Sequence, residues 1–177
     1  MTPKTILFDL DGTLTNPKTG ITRSVQYALR HFGIDEPDPD KLCPFIGPPL
    51  RTSFKTFYNF TDEEAAEGVQ AYREYFAVKG IWENEVYEGI PEVLKRLKEA
   101  GNRLMVATSK PEILAEKILK HFDLDQWFEF VGGADLEETR VEKADVIRYV
   151  LEREHLAFSD HIVMVGDRSH DVLGGKA

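Results

Sequence analysis

The chain has 177 residues, of which 42% are hydrophobic and 30% are charged, and its formal net charge at pH 7 is -9. This acidic balance argues against a nucleic acid or an anionic membrane as the main partner, because both repel a negative surface. Cys43 is the single cysteine, which excludes an intrachain disulfide and a zinc site built from thiolates. The N-terminus has no signal-peptide pattern and the apolar runs are too short to span a membrane, so we expect a cytoplasmic protein.

The first third of the chain predicts one strand followed by a long helical segment. Residues 5–9 form an apolar run typical of a buried strand. Residues 17–82 contain no convincing strand, and their apolar residues recur at helical spacing. Gly33 is placed to end the first helix, and Thr61 with Glu64 forms the pattern of a capping box at the start of a later one.

The rest of the chain alternates predicted helices and strands. Helices are predicted from Pro91 to Gly101, from Pro111 onward, and over residues 141–154. Further buried strands are predicted over residues 103–108, 128–132 and 161–166. Apolar runs of this kind, alternating with helices, predict an α/β fold with a doubly wound parallel sheet.

The interruption of this alternation predicts two domains. We expect residues 1–16 and 83–177 to form the α/β core and residues 17–82 to form a helical insert. The insert follows the carboxyl end of the first strand, and open α/β sheets bind ligands at that edge. The insert is therefore predicted to act as a lid.

The strongest chemical pattern is Asp9-Leu10-Asp11-Gly12-Thr13, directly after the first strand. Carboxylates at positions i and i+2 of an extended chain project to the same side, so one can attack phosphorus while the other carries protons. A bare Asp-x-Asp is more often a simple turn. Its position at the end of a buried strand favours a functional pair, because two adjacent carboxylates there are costly without a cation.

A second acidic group follows the last predicted strand, in Gly166-Asp167-Arg168-Ser169-His170-Asp171. Asp167 could simply cap a turn, and Asp171 could simply favour the first turn of a helix. Together with Asp9 and Asp11, however, they would gather four carboxylates at one sheet edge. Oxygen ligands of this kind suit Mg²⁺, which commonly shares the phosphate of a substrate.

Candidate phosphate ligands lie at the other strand ends. Thr108 and Ser109 follow the second core strand, where a hydroxyl and free backbone N–H groups can hold a phosphoryl oxygen, although a plain start of a helix is also compatible. Lys143 lies early in a helix, where a positive charge is mildly unfavourable, so a lysine without a function is less expected there. Lys110 and Arg140 are the alternative cations.

The ordered set of Asp9 to Thr13, Thr108, Lys143, Gly166-Asp167 and Asp171 resembles the four motifs of the haloacid dehalogenase superfamily over nearly the whole chain. The resemblance implies a Rossmann-like core with a helical cap.

The resemblance also implies a role for each motif residue. Asp9 would be the nucleophile and a metal ligand. Asp11 would serve as general acid and then general base, and its backbone carbonyl would bind the metal. Asp167 would ligate Mg²⁺ with support from Asp171, and Thr108 and Lys143 would hold the phosphoryl group.

The second aspartate of the first motif points to phosphate esters, since an alkoxide leaving group needs a proton. Segments 46–50 and 106–111 look like the phosphoglycolate phosphatase branch, which implies a small phosphorylated metabolite: phosphoglycolate, a nucleoside monophosphate or a sugar phosphate. Arg23, Arg51 and Lys55 are candidate substrate contacts in the cap. The alternatives are a phosphosugar mutase of the same superfamily and a binding module without catalytic activity.

One feature departs from the family pattern. Chains of this kind normally continue past the fourth motif with another helix, strand and helix, so we expect the sheet to lack that edge strand here. Residues 161–166 should then form an exposed sheet edge without a lysine or a proline to block pairing. We expect lower stability than in a longer relative, or pairing of this edge with another chain, such as a homodimer would provide.

Overall fold

The computed structural model describes residues 4–135, 139–159 and 161–176. It divides the chain into two compact units, one formed by residues 1–15 and 86–177 and the other by residues 16–85. The predicted insert, residues 17–82, falls inside the second unit. Two short strands that pair with each other, β2 (Thr15–Asn16) and β3 (Glu85–Val86), lie where the chain passes between the units.

The first unit is built on a parallel sheet with the strand order β5-β4-β1-β6. Its strands are β1 (Thr5–Phe8), β4 (Arg103–Pro111), β5 (Phe130–Ala134) and β6 (Ile162–Val165). Its helices are α4 (Ile90–Glu99), α5 (Glu112–His121), α6 (Lys143–Arg153) and α7 (Ser169–Gly174). This architecture confirms the predicted α/β fold with a parallel sheet.

Burial explains why the core strands lack polar alternation. Leu7 of β1 and Met105 of β4 are fully buried and pack in one cluster with Val146 and Val150 of α6. A strand covered on both faces has no exposed side on which polar residues could alternate. By contrast, Val93 of α4 is 45% exposed, so not every apolar residue of the surrounding helices is buried.

Two strand boundaries differ from the prediction. β5 begins at Phe130, two residues late, because a 3₁₀ turn occupies Asp125–Trp127 and Phe130 is the residue that pairs with Met105. β4 continues to Pro111, three residues beyond the predicted end, with an irregularity in its pairing after Ala107.

β6 lies at the edge of the sheet formed by the described residues, where it was predicted to lie. It pairs with β1 on one side only, with Ile162 opposite Thr5 and Val165 opposite Phe8. Whether this edge pairs with another chain stays a prediction.

The second unit is helical, with α1 (Lys18–His31), α2 (Leu50–Tyr58) and α3 (Asp62–Val78). The predicted capping box is present, since Glu64 N donates to Thr61 Oγ1 at 3.2 Å and Thr61 N donates to Glu64 Oε2 at 2.8 Å. Gly33 follows α1 with a φ of 72°, as expected of a helix stop. No described helix in either unit is long and apolar enough to cross a membrane.

Candidate active site

The paired aspartates stand at the carboxyl end of the central strand β1. Asp9 follows Phe8 and its backbone N–H still donates to Val165 O at 2.9 Å, so the residue keeps the direction of the sheet. The chain then turns, with Leu14 N donating to Leu10 O at 2.9 Å. Asp9 and Asp11 are both buried, at 6% and 7% exposure. Two buried carboxylates this close in sequence require positive charge nearby.

Gly12 makes this turn fit against the second acidic segment. Its φ is 88°, in the left-handed region that favours glycine. A Cβ at this position would lie 2.5 Å from Asp167 Oδ2. The first motif therefore approaches Asp167 through bare backbone, and any side chain at residue 12 would displace that carboxylate.

Lys143 supplies positive charge to the nucleophile candidate. It is the first residue of α6, and its Nζ lies 2.9 Å from Asp9 Oδ1 and 2.9 Å from Asp171 Oδ1. The same ammonium donates to Ala107 O at 3.0 Å. With only 4% of its side chain exposed, this lysine is held in the site by three oxygens.

Lys110 is a second cation of the site. Its Nζ lies 2.6 Å from Asp11 Oδ2, and only 6% of the lysine side chain is exposed. Sequence reasoning named Lys110 only as an alternative to Lys143, whereas the structure brings both lysines in. The spacing from Thr108 was the available signal, since residues i and i+2 of a strand point to the same face.

Asp9, Asp167 and Asp171 form a cluster in which one carboxylate oxygen from each residue lies within 4.8 Å of the other two. Asp171 is 2% exposed and its Oδ2 accepts a hydrogen bond from Arg168 N at 2.9 Å. Asp167 is exposed, and Thr13 Oγ1 donates to its Oδ1 at 3.4 Å. The carboxylates brought together from two strand ends could hold a metal ion.

The charge and the ligand atoms of the site fit a divalent cation. The buried carboxylates of Asp9, Asp11 and Asp171 outnumber the two buried ammonium groups of Lys110 and Lys143. Among the described residues, the buried Asp11 Oδ1 has no hydrogen-bond partner. Oxygen donors with excess negative charge are the environment that hard divalent cations prefer.

Burial raises the pKa of the Asp9 carboxyl above its ordinary value of 3.8. Lys143 opposes this shift through its charge and its hydrogen bond, Asp171 adds to it by repulsion, and a hydrogen bond from Thr108 lowers the pKa. The nucleophile candidate thus lies in surroundings where ionisation depends on cations.

Thr108 is buried at 1% exposure, and its Oγ1 accepts a hydrogen bond from Lys110 N at 3.2 Å. Ser109 is half-buried in the outer part of β4. The helix α5 begins only at Glu112, so both residues lie in extended chain and not at a helix N-terminus. The hydroxyl of Thr108 hydrogen-bonds to the Asp9 carboxylate. A phosphate-binding role for Thr108 and Ser109 stays a prediction.

The remaining candidates have other contacts within their own units. Arg140 Nε donates to Gly133 O at 2.9 Å and, among the described residues, is not paired with a carboxylate of the acidic cluster. Within the helical unit, Arg23 pairs with Glu83 at 2.5 Å and Lys55 with Asp62 at 2.7 Å, while Arg51 is exposed. A substrate role for Arg23, Arg51 and Lys55 stays a prediction.

Residues 6–177 match the family model described as haloacid dehalogenase-like hydrolase, a span that contains every residue of this site. The chain belongs to the haloacid dehalogenase-like hydrolase family.

Members of this family with high similarity are named as phosphatases. The chain is 52% identical over 171 residues to a 5'-nucleotidase of Pseudomonas aeruginosa, covering 97% of this chain and 77% of that protein. A predicted phosphatase from Clostridium acetobutylicum has the same fold with a TM-score of 0.93 and 46% identity, and the match covers 98% of this chain and 80% of that structure. The prediction of a phosphatase of this superfamily is confirmed.

A further relative of this chain carries the name of a kinase. The tyrosine-protein kinase PtkA of Mycobacterium tuberculosis is 40% identical over 175 residues, which is 99% of this chain but 59% of that protein. This chain therefore spans less than two thirds of that relative. The shared region is the one that carries the acidic cluster.

Proposed function

We propose that this protein is a Mg²⁺-dependent phosphomonoesterase that acts on a small phosphorylated metabolite through an aspartyl-phosphate intermediate on Asp9. The contact of the Lys143 ammonium with the buried Asp9 carboxylate, beside Asp11 at the mouth of β1, carries this proposal. A buried carboxylate kept beside a lysine is a nucleophile in its anionic form, and the neighbouring carboxyl is in place for proton transfer.

In the first step, an oxygen of the Asp9 carboxylate attacks the phosphorus of the ester. The bond between phosphorus and the ester oxygen breaks, and Asp11 gives its proton to the departing alkoxide, which leaves as an alcohol. Lys143 offsets negative charge on the transferred phosphoryl group, and the Thr108 hydroxyl is placed to donate to one of its oxygens. When Asp11 carries its proton, the Lys110 ammonium can leave Asp11 and bind the phosphate instead.

In the second step, water attacks the phosphorus of the aspartyl phosphate. Asp11, now ionised, takes a proton from that water, and the bond between phosphorus and Asp9 breaks. Inorganic phosphate leaves, Asp9 is restored as a carboxylate and Asp11 is again protonated. The same residue serves as acid and then as base, so one pair of carboxylates completes the cycle.

Asp9, Asp167 and Asp171 would hold the Mg²⁺, and the predicted backbone carbonyl ligand is that of Asp11. When bound, the ion would supply charge stabilisation to the phosphoryl oxygens. Oxygen ligands and the excess negative charge of the site support magnesium over softer metals.

Nucleoside 5'-monophosphates are the substrate class that we propose to test first. The similarity to the 5'-nucleotidase supports this choice, with phosphoglycolate and sugar phosphates as the other classes. The helical unit is proposed to act as a mobile cap. We propose a cytoplasmic location and no nucleic-acid or membrane partner, in keeping with the net charge of -9.

The test is hydrolysis of p-nitrophenyl phosphate and of a panel of metabolites with and without chelator. Asp9→Asn should lower kcat by at least about 10³-fold, because the amide cannot form the intermediate. Beryllium trifluoride, a phosphoryl mimic, should bind the wild-type protein and not the variant. Asp145→Asn is a matched control, since Asp145 is a half-buried carboxylate on α6 that pairs with Arg148.

Turnover at the wild-type rate by Asp9→Asn would refute the mechanism. Isomerised sugar phosphate without release of inorganic phosphate would show a mutase. Absence of turnover with every ester would leave a binding module.

A further inference from the structure

Arg140 is a cation of the first unit, outside the acidic cluster, that contacts several structural elements. Its Nε donates to Gly133 O of β5 at 2.9 Å, and its guanidinium lies 3.5 Å from the centre of the Tyr149 ring on α6. A terminal nitrogen also lies 3.7 Å from Glu112 Oε2, at the first residue of α5. One side chain therefore joins β5, α5 and α6.

The partners of Arg140 are themselves fixed to one another. Gly133 N donates to Glu112 Oε2 at 3.2 Å, and Gly133 O accepts from Arg140, so both backbone polar groups of this glycine are hydrogen-bonded to these partners. A Cβ on Gly133 would lie 2.6 Å from the Cα of Glu112 and from Lys110 O. The contact between β5 and the start of α5 thus leaves no room for a side chain, which makes it a firm anchor for the guanidinium.

The backbone of residue 140 is also held. Asp135 Oδ1 accepts hydrogen bonds from Thr139 N at 2.8 Å and from Arg140 N at 3.3 Å. These bonds tie the segment before α6 back to the end of β5. The attachment lies only three residues before Lys143.

The start of α6 needs such an attachment. Its N-cap residue is Glu142, whose side chain makes no capping hydrogen bond among the described residues. The first four backbone N–H groups of a helix have no partner within the helix, and a capping side chain ordinarily helps to hold the first turn in place. Lys143 lies in that first turn and has to direct a flexible side chain onto Asp9, Asp171 and Ala107 O.

We propose that Arg140 is a positioning residue that fixes the start of α6 and thereby places the Lys143 ammonium on Asp9. The inference rests on the proposed function for its effect on rate, but the placement of Lys143 can be tested by binding alone. A planar guanidinium can stack on the Tyr149 ring while it also hydrogen-bonds to Gly133 O and pairs with Glu112. A lysine ammonium cannot make all three contacts at once. The role is therefore specific to arginine.

The experiment measures the affinity for inorganic phosphate with Mg²⁺ present, together with kcat/KM for p-nitrophenyl phosphate. Arg140→Ala should weaken phosphate binding roughly tenfold and lower kcat/KM by about 10- to 100-fold, since a displacement on the order of 1 Å has effects of this size. The phosphate affinity and kcat/KM of Arg140→Lys should fall between those of wild type and Arg140→Ala. These measurements on Arg140→Lys test the proposal if the alanine variant does not fold.

Arg103→Ala is the matched control. Arg103 also bonds two carboxylates, at 2.7 Å to Glu129 and 2.8 Å to Glu154, but it lies at the opposite end of β4. Its loss should lower the thermal midpoint while changing phosphate affinity less than about twofold.

A double-mutant cycle with Lys143→Ala decides between positioning and general stability. If Arg140 acts through Lys143, Arg140→Ala should leave the phosphate affinity of Lys143→Ala unchanged. An equal fold-loss in both backgrounds, or an equal loss in Arg103→Ala, would overturn the proposal. If the wild-type protein binds phosphate and shows this coupling but hydrolyses no ester, the proposed function fails and the positioning role stands.

Discussion

Replacing Asp9, the proposed nucleophile, by asparagine should make the metal-free protein more stable. At 2.9 Å, with an effective dielectric constant of about 20, Lys143 attracts ionised Asp9 by about 6 kcal/mol. One carboxylate oxygen of Asp171 and one of Asp167 lie within 4.8 Å of an Asp9 oxygen, and repulsion at that distance costs about 3.5 kcal/mol for the buried Asp171 and less for the exposed Asp167. Desolvation of the buried carboxylate costs several kcal/mol more. Together, repulsion and desolvation outweigh the attraction by Lys143, so the negative charge on Asp9 destabilises the metal-free protein.

Asp9→Asn keeps the shape of the side chain and an oxygen that can accept the hydrogen bond from Leu10 N, which is 2.8 Å long in the wild-type protein. Lys143 keeps Asp171 and Ala107 O as partners. We therefore expect the variant to raise the free energy of unfolding in chelator at pH 7 by about 1 to 3 kcal/mol. For a protein of this size, each kcal/mol corresponds to about 2 to 4 °C in Tm.

The pH dependence follows from the raised pKa of Asp9. The unfolded chain ionises this group near pH 3.8, while the folded protein retains the proton to higher pH. The stability penalty of the wild-type aspartate is thus absent well below pH 3.8, grows as pH rises through the folded pKa, and is complete above it. The advantage of Asp9→Asn should follow the same course.

Thermal unfolding of both proteins in chelator, at several pH values, measures this difference, with Asp145→Asn as the surface control. Mg²⁺ at about 100 times its dissociation constant should add about 2.7 kcal/mol to the wild-type protein and less to Asp9→Asn, which has lost a ligand. A metal-free Asp9→Asn protein that unfolds below the wild-type temperature at pH 7 would refute the reasoning.

The remaining predictions concern proton transfer, the turn at Gly12 and the helical unit. Asp11→Asn should slow single-turnover cleavage of alkyl phosphates more than that of aryl phosphates, because a phenolate leaves without a proton; equal losses would argue against the role as acid. Gly12→Ala should weaken Mg²⁺ binding at least about tenfold, as measured by calorimetry, because the new Cβ meets the Asp167 carboxylate at 2.5 Å and the φ of 88° is strained. Thr61→Ala should cost about 1 kcal/mol in urea unfolding by removing the cap that bonds Glu64 N, whereas Thr61→Ser should cost little.

The sequence by itself determined the features that depend on neighbours along the chain. A buried strand followed at once by Asp9 and Asp11 placed both carboxylates at the sheet edge, because strand direction is set locally. The capping box of Thr61 and Glu64 was readable for the same reason, since both halves lie within one turn. The edge position of β6 followed from the order of strands that the family resemblance implies.

Only the tertiary structure decided which cations serve the site. Lys110, Arg140 and Lys143 were comparable in sequence, and their long side chains gave no direction. Packing of α6 against the sheet brings Lys143 to Asp9, and the extension of β4 brings Lys110 to Asp11. Arg140 instead hydrogen-bonds to Gly133 O. Such contacts join residues far apart in the chain, so their partners are fixed by the packing of whole helices and strands and not by any local pattern.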